Sequence, residues 1–325
     1  MQPMTETSVA TGCRRQRPAG LPCRFRRRVL TLACLAAVLL LAAGARGQQA
    51  GGFDLALVDL DGTRHVLGQL PPSVFAPRLS PDGGRVAYET RDVNGPDGAR
   101  LWIADVSNLA TRTPLPIAGG PTNWAPMWTP DGQRLVYLVS GPDPDRIFWR
   151  RADGTGDAEP LVTARSAEGW LDGGAQLRFL TLTGNRDYGI ALLDMRSRAT
   201  TTVIDLPGSA QHSTAVSPDG RWLAYASNET GAYEVWLEPL PRTGVRHRLT
   251  HDGGAHPTWR PDGRALYFNR GSRMFRLAVD TARPSPAETP VALPIEGFVQ
   301  GEYRRQFDLT SDGRQFLMLF PLPAR

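Results

Sequence analysis

The segment HPTWRPDGRALYF, which runs from His256 to Phe268, has near copies at four other places in the chain. These copies are APRLSPDGGRVAY, APMWTPDGQRLVY, STAVSPDGRWLAY and QFDLTSDGRQFLM, and they end at Tyr88, Tyr137, Tyr225 and Met318. In each copy the residues four and six positions after the Asp are apolar or bulky. A spacing of two residues places both side chains on the same face of a β-strand, as expected where one face is buried. The segment therefore predicts two strands joined by a tight turn.

The Asp-Gly pair in the middle of each copy, which we call the anchor, has the chemistry of a hairpin turn. Pro presets φ at the first corner, Asp tolerates the second corner, and Gly accepts the left-handed position that follows. We interpret the anchor Asp as a turn residue rather than a catalytic group or metal ligand, because it recurs with the same neighbours. The six anchors are Asp82 and Gly83, Asp131 and Gly132, Asp172 and Gly173, Asp219 and Gly220, Asp262 and Gly263, and Asp312 and Gly313.

The third anchor is degenerate, because GWLDGGAQLRFLTL lacks the Pro and its apolar residues Leu177 and Phe179 fall one position late. We still count it, because without it the spacing there would be twice that of the other anchors. With the third anchor included, successive anchors are 41 to 50 residues apart. That spacing is typical of one four-stranded propeller blade.

Each anchor except the last is followed by a second half-repeat with an aromatic-bearing strand, a turn and a short strand. A further half-repeat, FDLALVDLDGTRHVL at 53–67, precedes the first anchor, and none follows the last. Six first halves and six second halves make six blades if the N-terminal strands complete the C-terminal blade. Closure of this kind removes the exposed sheet edges of an open array. The sequence predicts an all-β, six-bladed β-propeller over residues 48–325.

Residues 1–47 are predicted to be a secretory leader. Arg26, Arg27 and Arg28 precede an apolar run from Val29 to Ala43 and then small residues, which is the pattern of an export signal. Fifteen apolar residues fall short of the roughly 20 that span a bilayer. We expect a periplasmic or secreted protein that contacts the membrane only through this leader if it is not cleaved. An inner-membrane anchor is the alternative.

The positive net charge of +5 also belongs to the leader. Eight of the 37 basic residues, all of them Arg, lie in residues 1–47 beside one acid, Glu6, so the remainder carries a charge of about −2. This balance provides no basic surface for phosphate groups, and we expect no nucleic-acid partner. The three cysteines Cys13, Cys23 and Cys34 are also in the leader. The exported chain would therefore contain neither disulfides nor cysteine metal sites.

The phrase RLTHDGGAHPTWRPDGRALYF, preceded by EVWLEPL, resembles the TolB-type β-propeller with its WD40-like Pro-Asp-Gly repeat. The resemblance covers residues 48–325 and implies a rigid interaction platform without enzyme activity. TolB itself carries an α/β domain before its propeller, whereas here Gln48 leads directly into predicted strands. The place of TolB in the Tol–Pal envelope machinery is therefore not carried over.

No catalytic motif is evident in the sequence. A G-x-S-x-G nucleophile elbow is absent, and we predict no catalytic residue, metal ligand or cofactor. Two acidic segments, RDVNGPDGAR at 91–100 and SGPDPDRIF at 140–148, look like calcium loops, but the first lacks the required spacing. A calcium ion bound in the channel is left as an alternative.

The candidate contact residues lie where loops enter the inner strands. We predict that a monomer presents this channel mouth to an envelope protein or peptide, with contacts from Asn123, Trp124, Gln211, His212, His256 and Arg305. Trp128 and Trp259 occupy equivalent repeat positions and are predicted to pack between blades. The alternative function is a small-molecule or carbohydrate binding protein or enzyme, and it requires polar side chains that converge at one end of the channel.

Overall fold

The computed structural model describes residues 51–91, 98–116, 122–141, 144–183, 187–281, 287–301 and 303–323. The predicted leader at 1–47 lies outside the described residues, as do positions 92–97 and 142–143 of the two acidic segments. In the described part of the chain, no helix has the length and apolarity needed to cross a membrane.

The described residues form six four-stranded antiparallel sheets, the blades. Blade VI contains both ends of the described chain: β1 (Phe53–Asp59), β2 (Arg64–Leu70), β23 (Phe307–Leu309) and β24 (Gln315–Pro321). Blade I contains β3 (Val74–Leu79), β4 (Arg85–Arg91), β5 (Ala99–Asp105) and β6 (Asn108–Pro114). Blade II contains β7 (Thr122–Trp128), β8 (Arg134–Ser140), β9 (Arg146–Arg151) and β10 (Glu159–Thr163).

Blades III to V follow the same plan. Blade III contains β11 (Ser166–Leu171), β12 (Gln176–Thr183), β13 (Asp187–Asp194) and β14 (Thr200–Ile204). Blade IV contains β15 (Gln211–Val216), β16 (Trp222–Ser227), β17 (Glu234–Pro239) and β18 (His247–Arg248). Blade V contains β19 (Ala255–Trp259), β20 (Ala265–Arg270), β21 (Arg273–Ala278) and β22 (Val291–Glu296). The first strands contact one another in the order β23, β3, β7, β11, β15 and β19, and these six strands surround the channel.

The ring closes as the sequence predicts. Strand β1 pairs with β24 over its whole length, from Phe53 opposite Pro321 to Asp59 opposite Gln315. The N-terminal strands therefore complete the blade that β23 and β24 begin, in the order β2-β1-β24-β23. The amide of Leu322 also donates to the carbonyl of Gly52 at 2.9 Å, so the two described ends of the chain meet at this seam.

The core is divided among the six interfaces between blades. Each buried cluster combines side chains of two neighbouring blades, and one of them joins blade VI to blade I. Strand β24 shows how alternation produces this: Leu317 and Leu319 pack toward blade I, whereas Phe316 and Met318 pack toward blade V. Both faces of a central strand are thus buried, and each faces a different neighbour.

Five of the anchors form the predicted hairpin turn, whereas the degenerate third anchor forms a 3-10 turn, Asp172–Gly174, between β11 and β12. At the fourth anchor the amide of Gly220 donates to the carbonyl of Ser217 at 2.9 Å, and Gly220 has φ 73°, in the left-handed region. The hydroxyl of Ser217 donates to Asp219 Oδ1 at 2.6 Å and accepts from the amide of Trp222 at 2.9 Å. This hydroxyl, with the amide and guanidinium of Arg221, lowers the pKa of Asp219 to about 2.

We expect Ser217→Ala to lower the free energy of unfolding by about 1 to 2 kcal/mol, because it removes two hydrogen bonds that close the turn, one of them to a carboxylate. Urea denaturation measures the difference, and Ser107→Ala at an exposed turn position is the matched control. Equal stabilities of the two variants would show that the hydroxyl does not stabilise the turn.

The predicted role of Trp128 and Trp259 is confirmed. The indole of Trp128 donates to the carbonyl of Arg78 at 3.0 Å, and that of Trp259 donates to Ala215 at 3.2 Å, in each case one blade back. Trp170, in the degenerate blade, makes the equivalent bond to the carbonyl of Trp128 at 2.9 Å. One tryptophan thus ties together the inner strands at each of three interfaces.

Candidate functional site

The inner strands share a bulge where they border the channel. The pairing of β3, β7, β15 and β19 with the next strand is interrupted at residues whose φ lies between 50° and 55°: Ala76, Ala125, Ser213 and His256. Positive φ is strained for residues other than Gly, and bulges and strained backbone are enriched at functional sites. The repetition of this strain in four blades marks the ring of bulges as a candidate site.

Side chains of neighbouring blades bind the amides that these bulges release from the sheet. The amide of Ala76 donates to Gln306 Oε1 at 2.7 Å, and that of Ala125 donates to Glu89 Oε2 at 2.5 Å. The amide of Thr214 donates to Glu168 Oε2 at 2.9 Å. Carboxylates are therefore held in the channel by the backbone, and burial raises the pKa of Glu168.

Next to the ring of bulges lies a small polar cavity of about 70 Å³, which we call the channel pocket. It is lined by side chains from five blades, among them Arg78, Met127, Glu168, Ser213, His256 and Arg305. The guanidinium of Arg78 donates to the carbonyls of Arg305 and Pro77, both at 2.8 Å. Burial, followed by the charge of Arg305, lowers the pKa of Arg78 to about 10, so Arg78 remains a cation at neutral pH.

Two histidines and a serine form a chain of hydrogen bonds at the channel pocket. His256 Nε2 lies 2.9 Å from the carbonyl oxygen of Gly301 and must donate to it, so Nδ1 of the neutral ring accepts from the hydroxyl of Ser213 at 2.6 Å. The Ser213 oxygen then accepts from His212 Nδ1 at 2.7 Å. His212 Nε2 is left as a buried acceptor without a hydrogen-bond partner among the described residues.

Both histidines are held neutral. Burial lowers the pKa of His256 to about 4, with the cations Arg305 and Arg78 acting in the same direction. Burial also lowers the pKa of His212 well below its usual value, and the neighbouring His256 adds to this. At neutral pH the pair therefore serves as a fixed hydrogen-bonding unit rather than as a store of positive charge.

Adjoining the channel pocket is a wider cavity of about 470 Å³, which we call the mouth. Its walls include Phe75, Arg91, Trp124, Tyr188, Tyr303 and Arg304, and it shares Tyr303 and Arg304 with the channel pocket. The guanidinium carbons of Arg304 and Arg91 lie 4.6 and 5.3 Å from the centroid of the Trp124 ring. The mouth is therefore a mixed aromatic and cationic surface above a polar pocket.

The charges of the mouth are not fully balanced by nearby acids. Arg91 contacts buried Glu89 at 2.5 Å, and Arg165 contacts Asp145 at 2.7 Å. Arg304 Nη1 has no hydrogen-bond partner in the part of the chain that the structure describes. Burial lowers the pKa of Arg304, which makes its charged form more dependent on an anion nearby.

The structure places the six predicted contact residues at this end of the channel, but at different depths. Trp124 and Arg305 are part-exposed. Asn123, Gln211, His212 and His256 are at most 4% exposed, and the aromatic rings of Tyr233 and Tyr303 pack against His212. A partner can therefore contact Trp124 directly, whereas the other four side chains are buried and not accessible to a partner. That any of the six binds a partner remains a prediction.

Several residues of the site are absent from the sequence prediction: Arg78, Glu168, Tyr188, Tyr303 and Arg304. A signal for two of them exists, because Arg78 and Glu168 each lie four residues before the Asp of their anchor, as does Asp308. In the structure Asp308 accepts from the amide of Leu79 at 3.0 Å and from Arg305 at 2.9 Å. Charged residues at this repeat position face the channel, where a strand core would otherwise be apolar.

The described residues contain no group of three or more metal-ligating side chains. Calcium in the channel, the alternative left open by the sequence, therefore remains untested, since carbonyl oxygens could also coordinate it.

Comparison with known proteins identifies the fold but not the activity. No family model matches the chain. An uncharacterised protein of Agrobacterium fabrum is 26% identical over 216 residues, which cover 59% of this chain and 67% of the relative. The uncharacterised peptidase YuxL of Bacillus subtilis is 29% identical over 161 residues, which cover 47% of this chain and only 22% of that relative.

A solved structure assigned as TolB from Agrobacterium tumefaciens superposes with a TM-score of 0.65 at 17% identity, covering 84% of this chain and 99% of that one. The predicted TolB-like six-bladed propeller is thereby confirmed as a fold. At this level of identity the likeness says nothing of partners or chemistry.

Proposed function

We propose that the protein is an exported, non-enzymatic propeller that binds a peptide segment of a cell-envelope protein at the mouth. The observation that carries the proposal is the surface of Trp124, Tyr303 and Arg304 above a pocket of converging polar groups. Trp, Tyr and Arg dominate the energetically important positions of protein interfaces. The positive charge of Arg304, whose Nη1 has no hydrogen-bond partner among the described residues, favours an acidic side chain or a terminal carboxylate of the partner.

Export and location are part of the same proposal. The leader pattern at 1–47 supports translocation to the periplasm or beyond, and the fold is shared with a structure assigned as TolB. Cell fractionation with an antibody against the propeller tests this, and a chain confined to the cytoplasm would contradict it.

The contact between Ser213 and His256 does not favour hydrolytic chemistry. The second ring nitrogen of His256 donates to the carbonyl of Gly301 rather than to a carboxylate, and a pKa of about 4 makes this ring a weak general base at neutral pH. The propeller fold also occurs in peptidases, to judge by the similarity to YuxL, but the match covers 22% of that relative. We therefore propose that this propeller has no hydrolase site.

We expect Trp124→Ala combined with Tyr303→Ala to abolish capture of the partner. The full chain, immobilised and incubated with detergent-solubilised envelope extract, should retain one protein near stoichiometrically. The double variant should retain at least tenfold less of that protein, since truncation of one central interface aromatic commonly costs about 2 kcal/mol or more of binding free energy. Val291→Ala, at a 64% exposed apolar residue of blade V, is the matched control. Equal retention by all three proteins would contradict the proposal.

A second candidate function is supported by the channel pocket itself. Its polar lining meets the condition stated above for a small-molecule or carbohydrate ligand, because Arg78, Glu168 and His256 converge there. With a volume of about 70 Å³ it has room for a small polar group rather than a whole sugar. Thermal stabilisation of wild type by small carboxylates, lost in Arg78→Met, would favour this candidate.

A further inference from the structure

A second cavity, of about 240 Å³, lies between blades III and IV and has a mainly apolar lining. We call it the interblade cavity; the apolar residues include Leu171, Ile190, Leu192, Val203, Leu223 and Leu240. It opens beside Asp172 and Gly220, which are exposed. Strand β11 begins at Ser166, which borders the mouth, and ends at Leu171, which borders the interblade cavity, so the two sites are roughly 16 Å apart along that strand.

One charged side chain, Arg178, lines this apolar space. It is only 6% exposed, and its Nε and Nη1 atoms have no hydrogen-bond partner in the described residues. Arg178 lies six residues after its anchor Asp, and because the register of the degenerate blade is one residue late, the equivalent position of the other five blades lies five residues after the anchor. That position is held there by fully buried hydrophobic residues: Ala87, Val136, Ala224, Tyr267 and Leu317. The cation is therefore specific to blade III and is not required by the propeller repeat.

The backbone opposite Arg178 makes room for its guanidinium. Gly169 on β11 is the cross-strand partner of Arg178. A Cβ atom at Gly169 would lie 2.0 Å from Arg178 Nη2, which is far inside van der Waals contact. Gly169 thus allows the guanidinium to lie flat over the inner strand, while Leu177 and Phe179 on either side of Arg178 pack toward blade II.

A buried cation with free donors is costly unless an anion reaches it. Leaving a buried donor without a hydrogen bond destabilises the folded state, and the cost is larger for a charged group. Glu168 lies close enough to attract Arg178 electrostatically, but it accepts the amide of Thr214 and no hydrogen bond from Nε or Nη1. Nε and Nη1 of Arg178, a residue that lines the interblade cavity, are therefore left without an acceptor from the described residues.

We propose that the interblade cavity binds a medium-chain fatty acid anion, with its carboxylate on Arg178 and its alkyl chain against the surrounding leucines. A guanidinium presents two parallel donors that match the two oxygens of a carboxylate. The leucine, isoleucine and valine side chains of the walls favour an alkyl body, which is removed from water on binding. This site is separate from the mouth, so it is independent of the proposed peptide binding.

Three probes separate the two parts of the site: octanoate, which has both charge and chain; octanol, which has the chain alone; and acetate, which has the charge alone. Isothermal titration of the full chain should give saturable binding of octanoate, at least tenfold weaker binding of octanol, and none of acetate at equal concentrations. Absence of octanoate binding, equal affinity for octanol, or equal affinity for acetate would each overturn the proposal.

Two variants assign the binding to this cavity. Arg178→Met should bind octanoate at least tenfold more weakly and octanol unchanged, and it should fold because apolar side chains fill the equivalent position of every other blade. Leu192→Trp, at a part-exposed lining position, should fill the space and remove both ligands. Arg196→Met, at an exposed arginine, controls for the change of net charge. Unchanged octanoate binding in Arg178→Met or Leu192→Trp would overturn the assignment.

Discussion

Deletion of Phe53–Leu70 from the full chain is expected to abolish cooperative folding. These residues are strands β1 and β2, the outer half of blade VI. Their loss would remove Leu55, Ala56 and Val58, all fully buried, and would expose the large side chains of β24 such as Phe316 and Met318. Each large side chain lost from a core costs about 2 to 5 kcal/mol, and whole domains are stable by only about 5 to 15 kcal/mol.

Circular dichroism during thermal unfolding would measure the effect, and a circular permutant provides the matched control. Joining Arg325 to Gly51 through a short linker and opening the chain before Pro71 keeps every residue of blade VI but makes it continuous. Gly52 and Leu322 already share a hydrogen bond, so the new connection requires no rearrangement. The permutant should unfold cooperatively near the temperature of the parent. A deletion variant as stable as the parent would show that the N-terminal strands do not close the ring.

The architecture could be predicted because the same strand-turn-strand pattern recurs several times in the sequence. Apolar residues two positions apart after each anchor are predicted to lie on one face of a strand and to pack together. Val86 and Tyr88, for example, lie in the same buried cluster. The degenerate blade obeys the same rule. Its apolar pair, Leu177 and Phe179, lies one position later in the repeat than in the other blades, and both residues belong to one buried cluster. Local turn chemistry and the count of half-repeats were sufficient for the topology, since both depend on neighbours in the chain.

The depth of the site residues could not be predicted in the same way. His212 lies at the start of an inner strand, as expected, but its burial depends on Tyr233 from its own blade and Tyr303 from the loop before blade VI. Residues 91 positions apart in sequence meet there only because the ring brings the bulges together. Arg178 shows the same limit, since its unsatisfied donors are visible only once blade IV is in place.

Acidification from pH 7 to pH 4 is expected to destabilise the propeller by about 3 kcal/mol through His256 alone. The pKa of this ring is about 4 in the folded state and about 6.5 in an unfolded chain, so the unfolded chain binds the proton more tightly. Stability is therefore complete above pH 6.5 and is lost as pH falls toward 4. His212 responds in the same direction, and the cations Arg78 and Arg305 oppose the new charge.

The variant His256→Asn isolates this contribution. Asn tolerates the positive φ of 54° at this position, and its amide oxygen can accept from Ser213 in place of Nδ1. Urea denaturation at pH 7 and pH 4 should show a loss of unfolding free energy that is smaller in the variant than in wild type by about 3 kcal/mol. His251→Asn, at an exposed histidine, should behave as wild type. Since carboxylates titrate in all three proteins, only the difference between them reports on His256, and an equal loss in all three would place the acid sensitivity elsewhere.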